Sequence, residues 1–331
     1  MRNRLLASAN NPLASGLLSR MEKADTRSNH LLRVLTYHRV AEPEKTPHLY
    51  PRVTVTPAAF EEQMRYLEQA FQVVSMPEVI EAVRTGRGFS RRAVLITFDD
   101  AYRDFAENAL PVLKRYNLPA TLFVPTAFPD HPERAFWWDR LYTAVEHAHD
   151  LGEILTPAGY LPVRTKAERS AVLTVLRDYV KSIPHAEAMQ WVDHFCRQVE
   201  APECSSEVLS WDDLRAVAAE GITLGAHTRT HPMMSQISSD EIRAEVAGSV
   251  DDLRREIGET LPIFAYPSGG YTAEVMDILK EEGCEFAFTT QRGHNDLRSA
   301  DWLQAKRINV GPNTSLNLLR AQLLGWVSSF L

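Results

Sequence analysis

The sequence predicts an α/β fold, a distorted (β/α) barrel of about seven strands that carries a helical insertion. Short apolar runs alternate with segments in which apolar residues recur every three or four positions, and this alternation is typical of a parallel sheet with surrounding helices. The alternation starts near residue 33, stops near residue 128 and resumes near residue 208. Motifs rich in polar residues directly follow several apolar runs, and the carboxyl ends of parallel strands are where such folds carry out chemistry.

This pattern divides the chain into four segments. They are an N-terminal arm of loosely helical character over residues 1–32, a barrel over 33–128 and 208–312, a helical insertion without strands over 129–207, and a C-terminal helix over 313–331 that docks on the body. Trp137 and Trp138 of the insertion are expected either in the core or stacked on a sugar ring.

Each predicted element has a local reason in the sequence. Apolar and β-branched runs predict strands over residues 31–38, 71–75, 94–98, 120–124, 222–226, 263–266, 286–290 and 307–310. Helices are predicted to start at 57 and 136 and to cover 77–84, 102–117, 166–180, 186–199, 211–220, 239–257, 272–282 and 316–331. Thr56 followed by proline is a helix start, Gly86 can end a helix, and Ser210 with Asp213 resembles a capping box.

Composition excludes several classes of protein. The chain has 331 residues and a formal net charge of −7, which argues against a general nucleic-acid binder. Its three cysteines lack Cys-x-x-Cys spacing and are expected as reduced thiols. No run approaches a transmembrane helix, and polar residues interrupt the segment 5–18, which makes it a poor signal peptide. We therefore expect a cytoplasmic protein, with peripheral contact between its N-terminal segment and a membrane surface as an alternative.

Two adjacent carboxylates, Asp99 and Asp100, end the apolar run 94–98. On their own they could be a helix N-cap and a first-turn acid. At the end of a buried strand, however, they repel each other and need a cation or a shared proton. A metal ion would supply the cation.

His227 and His231 follow the strand predicted over 222–226. Histidines four positions apart lie on one face if the turn is helical, and such a pair can bind a divalent metal. One carboxylate with two imidazoles leaves coordination positions open for water and substrate, as in a catalytic site.

Two further strand ends carry candidate groups. The turn Pro267-Ser268-Gly269-Gly270 can be a plain connection, or it can expose backbone N–H groups that stabilise an oxyanion. His38 ends the first strand, where it is either structural or a general acid.

Taken together, Thr97-Phe98-Asp99-Asp100 and His227-Thr228-Arg229-Thr230-His231 resemble the motifs of the polysaccharide deacetylase family, carbohydrate esterase family 4, which includes nodulation-type chitooligosaccharide deacetylases. The resemblance runs from about Leu35 to Val310, interrupted by the insertion. It implies a distorted (β/α) barrel and a metal-dependent N-deacetylase, often with zinc. By this resemblance Asp100, His227 and His231 hold the metal, and Asp99 is the general base.

The chain departs from the family's commonest form in two motifs. Arg-Pro-Pro-Tyr-Gly appears as Ala265-Tyr266-Pro267-Ser268-Gly269, which lacks the arginine that usually orients the base. The backbone N–H of Ser268 would be the oxyanion donor, with Pro267, Tyr266 and Tyr102 beside the substrate.

The second departure is the late Leu-x-His motif, which is absent from the segment 307–310. One branch of the family, which resembles the poly-N-acetylglucosamine deacetylases of exopolysaccharide systems, has its acid histidine on the first strand instead, and Leu35-Thr36-Tyr37-His38 fits that arrangement. That arrangement implies His38 as the general acid, with His294 in reserve.

The sequence therefore predicts a metal-dependent N-deacetylase that hydrolyses the acetamide of an N-acetylated sugar or polysaccharide, in exopolysaccharide or cell-surface glycan metabolism. One alternative is a catalytically weak carbohydrate-binding module on the same barrel, which the missing arginine favours. Another is a hydrolase of a different amide, such as a cyclic imide or ureide.

Overall fold

A computed structural model describes residues 12–25, 29–131 and 133–325. Seven of its strands are β1 (Leu31–Tyr37), β2 (Ala93–Phe98), β3 (Thr121–Val124), β4 (Thr223–Ala226), β5 (Ile263–Ala265), β6 (Phe286–Arg292) and β7 (Ala305–Asn309). They pair in parallel in the order β1-β7-β6-β5-β4-β3-β2, and β2 pairs with β1 to close the ring. The predicted (β/α) barrel of seven strands is confirmed.

The barrel is irregular at several points. The short strand Gln72–Val74 lies beside the first half of β2, and Asn295–Asp296 pairs antiparallel with the start of β1. The pairing of β6 with β7 shifts register between Phe288 and Arg292. These irregularities distort the barrel, as the sequence predicts.

Helices surround the strands. They are α1 (Pro12–Ala24), α2 (Pro57–Ala70), α3 (Met76–Thr85), α4 (Leu110–Arg115), α5 (Trp137–His147), α6 (Lys166–Ser182), α7 (His185–Gln198), α8 (Trp211–Ala219), α9 (Ser239–Ile257), α10 (Ala273–Glu281) and α11 (Leu316–Gln322). The predicted helix signals are confirmed: the Thr56 side chain accepts from the N–H of Ala59, Ser210 and Asp213 form a capping box, and Gly86 ends α3 with φ of 66°.

Side chains along the strands alternate between two buried clusters. Leu35 and Ile96 belong to a cluster with helix side chains, whereas Val34 and Leu95 belong to a smaller second cluster. Because successive strand residues face opposite sides, the first cluster lies between strands and helices, and the second lies on the inner face of the barrel.

The insertion contains α5, α6 and α7, as expected, but also a β-hairpin, so the prediction that it has no strand was wrong. Glu153–Thr156 pairs antiparallel with Gly159–Pro162. Exposed and buried residues alternate along the first of these strands. Thr156 Oγ1 donates to the carbonyl of Gly159 (2.8 Å), and Gly159 adopts φ of 96°, which a side chain would oppose.

The two ends of the described chain pack together. Arg320 of α11 pairs with Glu22 of α1, with Nε 2.8 Å from Oε1. The helix predicted over 316–331 ends at Gln322, and the N–H of Gly325 then donates to Asp25. Residues 1–11 of the predicted arm and 326–331 of the predicted helix lie outside the described residues. Among the helices in the described ranges, none has both the length and the apolar character needed to span a bilayer.

Candidate active site and metal centre

Asp99 and Asp100 lie where β2 leaves the sheet. The N–H of Asp99 donates to the carbonyl of Tyr37 (3.0 Å), which holds the ends of β1 and β2 together. Asp100 has φ of 72° and Ala101 has φ of 52°, and a helical turn begins only at Phe105. The two carboxylates are therefore not a helix N-cap. The backbone turns at the barrel mouth through Asp100 and Ala101, in a left-handed conformation that non-glycine residues seldom adopt.

Asp100, His227 and His231 converge on one point. Asp100 Oδ1 lies 3.4 Å from Nε2 of His227 and 3.3 Å from Nε2 of His231. One ligand atom from each residue lies within 4.8 Å of the others, and all three side chains are buried. The sequence predicted this group of three, and the geometry brings it together.

The two histidines converge through a loop, so the helical turn considered for them was wrong. Thr228 and His231 both have positive φ, of 62° and 60°. Thr228 Oγ1 accepts a hydrogen bond from the N–H of His231 (3.0 Å). Glu245 of α9 accepts from the N–H groups of Arg229 and Thr230 at 2.7 and 2.9 Å. These bonds replace helical hydrogen bonds and fold the segment back on itself.

The residues fit a divalent metal. His227 Nδ1 lies 2.7 Å from the carbonyl of Ala265, which leaves Nε2 as the ligand atom. Asp100 Oδ1 is buried between the two imidazoles without hydrogen-bond geometry. Burying such an oxygen is costly unless a cation satisfies it. The ring of His231 is held by packing, with its centroid 4.8 Å from that of Trp138.

The charges of the three groups are coupled. Burial would raise the pKa of Asp100, but the two imidazoles hold it well below its usual range. Burial lowers the pKa of His231, which favours the neutral form that a metal requires. Burial acts in the same direction on His227, but Asp100 and Asp99 outweigh it and raise the pKa of His227. Metal binding would displace any proton held on His227.

Arg307 orients Asp99, so the expectation that no arginine does so was wrong. Its Nη1 and Nη2 donate to Oδ1 and Oδ2 of Asp99 at 2.9 and 2.7 Å, and its Nε donates to the carbonyl of Thr289. The arginine is fully buried. Burial would raise the pKa of Asp99, but Arg307 outweighs burial and lowers it, which keeps the carboxylate ionised.

Sequence reasoning missed Arg307 because it comes from β7 and not from the motif that carries the arginine elsewhere in the family. One signal was available in the sequence. Arg307 stands two positions after Ala305, which packs on the inner face of the barrel, so strand alternation turns Arg307 inward. A charged residue on the inner face of a buried strand needs a partner. The missing motif arginine was the argument for a catalytically weak binding module, and Arg307 takes the place of that arginine.

His38 and His294 lie at opposite ends of the barrel. Tyr37 pairs with Phe98, so His38 follows at the level of Asp99, and it lines the same cleft. His294 lies beside the start of β1 and hydrogen-bonds the carbonyl of Gln322 through Nε2 (2.9 Å). His294 therefore cannot reach the cleft. The prediction of His294 as the reserve general acid was wrong.

The centre opens into a cleft of about 650 Å³. Ser268 and Tyr266 line this cleft, and Ser268 is held at φ of 53°. Pro267 is buried in the turn beside them. Gly269 has φ of 74°, and a Cβ there would lie 2.0 Å from Thr290 Oγ1, so this turn requires glycine. The hydroxyl of Tyr266 donates to the carbonyl of Leu303, which leaves only its ring for substrate.

Tyr102 was predicted beside the substrate, but it is not among the residues that line the cleft. Its buried hydroxyl donates to Asp139 (2.9 Å) and accepts from Nε1 of Trp138 (2.9 Å). Trp137 and Trp138 are largely buried and also line the cleft. Tyr102 therefore positions Trp138, which in turn packs on His231.

Known proteins resemble this chain in sequence and in fold. The sequence profile of the polysaccharide deacetylase family matches residues 86–153 and 163–287, more than half of the chain. The poly-β-1,6-N-acetyl-D-glucosamine N-deacetylase of Escherichia coli K12 is 23% identical over 274 residues, which cover 82% of this chain but only 36% of the enzyme.

Two solved structures share the fold. The deacetylase PplD of Streptococcus pyogenes, in complex with acetate, superposes with a TM-score of 0.60 at 21% identity and covers 88% of this chain and 98% of its own. IcaB from Ammonifex degensii superposes with a TM-score of 0.59 at 19% identity and covers 90% and 98%. The profile match confirms the resemblance found in the sequence. The chain belongs to the polysaccharide deacetylase family, hydrolases that remove acetyl groups from polysaccharides.

Proposed function

We propose that this protein is a metal-dependent N-deacetylase that hydrolyses the acetamide of an N-acetylated glycan, with zinc as the metal. Asp100, His227 and His231 would hold the ion, since two imidazoles and one carboxylate form a set that suits zinc and leaves positions open. The E. coli relative is named for a glycan of this kind, and we extend that substrate class to this chain.

In the proposed mechanism a bound metal would polarise the acetamide carbonyl and lower the pKa of a water towards about 7. Asp99, held ionised by Arg307, accepts the proton of the attacking water. The backbone N–H of Ser268 stabilises the oxyanion. His38 then donates a proton to the departing amine, because an amine leaves far more readily once protonated.

The observation that carries the proposal is the Asp99–Arg307 ion pair beside the three metal ligands. It separates the two adjacent carboxylates into different roles. Asp100 faces the imidazoles, whereas both oxygens of Asp99 accept from a buried guanidinium. A module that only binds glycan has no need of an ionised carboxylate fixed in this way.

The proposal is tested with Asp99→Asn and wild-type protein on an N-acetylglucosamine oligomer. We expect the variant to lose about 10²- to 10⁴-fold in acetate release, the usual contribution of a general base. It should keep the zinc content of wild type by elemental analysis, and zinc should still raise its Tm. Asp277→Asn, on the exposed surface, controls for the substitution. Wild-type turnover by Asp99→Asn would contradict the assignment of Asp99 as the general base. Hydrolysis of cyclic imides by the wild type, without acetate release from any glycan, would favour a hydrolase of a different amide.

A further inference from the structure

Positive charge is concentrated around the cleft. The cationic lysine and arginine side chains that line it are Arg52, Arg177, Lys181 and Arg292. Among the described residues, the carboxylates that line it are Asp99 and Asp100, which belong to the catalytic centre. The whole chain has a formal net charge of −7, so this concentration of positive charge is local. Charges lining a cleft raise the local concentration of ligands of the opposite sign.

Arg177 and Lys181 contribute two of these charges from one helix. They stand four residues apart on α6, so they share a face and repel each other. In the part of the chain that the structure describes, neither forms an ion pair with a carboxylate. Burial and the charge of Arg177 lower the pKa of Lys181, and Asp178 offsets this only in part. An anion between the two side chains would relieve the repulsion.

Contacts within the protein hold the Arg177 side chain in place. Its Nη1 donates to the hydroxyl of Tyr50 (2.7 Å), and its Cζ lies 5.0 Å above the centre of the Tyr50 ring. The N–H of Tyr50 in turn donates to buried Asp139 (2.7 Å). A guanidinium held in this way loses little conformational entropy when it binds an anionic group.

The proposed reaction changes the charge of the glycan, so the positive charge of the cleft indicates which glycans it can bind. Each hydrolysis converts a neutral acetamide into an amine that takes up a proton, so a glycan of uncharged sugars becomes more cationic with every turnover. A cleft lined by arginine and lysine would repel such a product. A glycan with its own anionic groups would instead be attracted before and after the reaction.

We propose that the substrate of this site is an anionic N-acetylated glycan, in which a phosphate or carboxylate on or next to the acetylated sugar contacts Arg177 and Lys181. This inference rests on the proposed N-deacetylase function and deepens it. It also gives the helical insertion a role, because α6 brings both charges to the cleft.

The first test compares acetate release from four glycans. They are a neutral N-acetylglucosamine trisaccharide, a phosphodiester-linked N-acetylglucosamine oligomer, N-acetylglucosamine joined by diphosphate to a short prenyl chain, and a hyaluronan tetrasaccharide. We expect kcat/KM on at least one anionic glycan to exceed that on the neutral one by about tenfold or more, as expected from charge-assisted hydrogen bonds. The arm with the highest value identifies a polymer phosphate, a carrier diphosphate or a carboxylate.

The double variant Arg177→Gln/Lys181→Gln should lower this anionic-to-neutral ratio about tenfold. Lys181→Arg, which keeps the charge, should preserve the ratio. Arg87→Gln/Lys166→Gln removes two exposed charges away from the cleft and should also preserve it. A neutral glycan preferred over every anionic one, or a ratio unchanged in the double variant, overturns the proposal.

Calorimetric binding to the Asp99→Asn protein separates this inference from the deacetylase proposal. Tighter binding of anionic than neutral glycan, lost when Arg177 and Lys181 are also changed to glutamine, supports anion recognition even if no glycan is deacetylated. Equal binding of neutral and anionic glycans overturns anion recognition, while acetate release by the wild type leaves the deacetylase proposal standing.

Discussion

Asp99 and Arg307 stand 208 positions apart in the chain, yet they form a fork of two hydrogen bonds inside the barrel. The pair fixes both the charge and the direction of the Asp99 carboxylate. A lysine at position 307 could supply the charge but not the two parallel N–H donors. The geometry of the pair, and not its charge alone, should therefore matter to the reaction.

Replacing Arg307 with lysine should lower kcat about 100-fold, the scale of loss expected from misplacing a catalytic group by about 1 Å. Zinc content should stay at the wild-type level, since Arg307 contacts none of the three residues proposed to hold the metal. Acetate release and elemental analysis measure the two effects. Arg298→Lys is the matched control, because Arg298 makes a similar fork with Asp296 at the surface. Undiminished turnover by Arg307→Lys would show that Asp99 needs no fork.

A second residue-level prediction concerns Tyr102. Tyr102→Phe removes the donor to Asp139 and the acceptor for Trp138 in a buried network. We expect the free energy of unfolding to fall by about 1–3 kcal/mol, the cost of leaving buried polar groups unpaired. Denaturant titration measures this, with the exposed Tyr160→Phe as control. A raised KM for glycan at unchanged stability would return Tyr102 to the substrate-binding role that the sequence predicted.

At the scale of elements, the site is built from loops held in unusual backbone conformations. Thr228, His231 and Ser268 all have positive φ. Hydrogen bonds to neighbouring elements hold the histidine loop, including those from the N–H groups of Arg229 and Thr230 to Glu245 of α9. Strain of this kind persists at functional sites because the surrounding elements enforce it. The strands thus determine where each of these loops begins, and the backbone conformation of the loop determines where its side chains point.

The turn at Gly269 gives a test at this scale. Gly269→Ala would add a Cβ 2.0 Å from Thr290 Oγ1, and φ there is 74°. We expect a loss of unfolding free energy above the roughly 1–2 kcal/mol that a left-handed conformation costs by itself, together with reduced acetate release as Ser268 shifts. Gly86→Ala isolates the cost of the backbone conformation, because Gly86 has φ of 66° and none of the described residues has an atom within 4 Å of the added Cβ. Equal losses in the two variants would mean that Thr290 yields without moving the turn.

At the scale of the whole molecule, the barrel separates two histidines into different roles. His38 lies at the mouth of the cleft, whereas His294 is buried at the opposite end near Arg33 and the C-terminal helix. Burial, with the nearby charge of Arg33, lowers the pKa of His294 from 6.5 to about 4. This histidine therefore affects the stability of the fold rather than the reaction.

The effect on stability has a definite sign. As pH falls below 6.5 the unfolded chain takes up a proton on His294 while the folded protein does not, so the folded state loses stability until about pH 4. The loss amounts to at most about 3 kcal/mol. His294→Gln should remove this share of the acid sensitivity, which denaturant titrations at pH 7 and 4.5 measure. His149→Gln, at the surface, controls for the substitution. An unchanged pH dependence in His294→Gln would show that another group is responsible.

Local patterns in the sequence were enough to predict the seven strands and most helices, because hydrophobic periodicity is a property of neighbouring residues. The two motifs, read through the family resemblance, predicted that Asp100, His227 and His231 lie together, and the structure brings them together. The hairpin of the insertion escaped because its strands are short and half-exposed. Three features depended on the folded chain: the pairing of Arg307 with Asp99, the burial of Tyr102 behind Trp138, and the distance of His294 from the cleft. Each of these features depends on how the barrel closes. The order of the strands in the closed barrel decides which distant residues become neighbours, and their spacing along the chain does not reveal it.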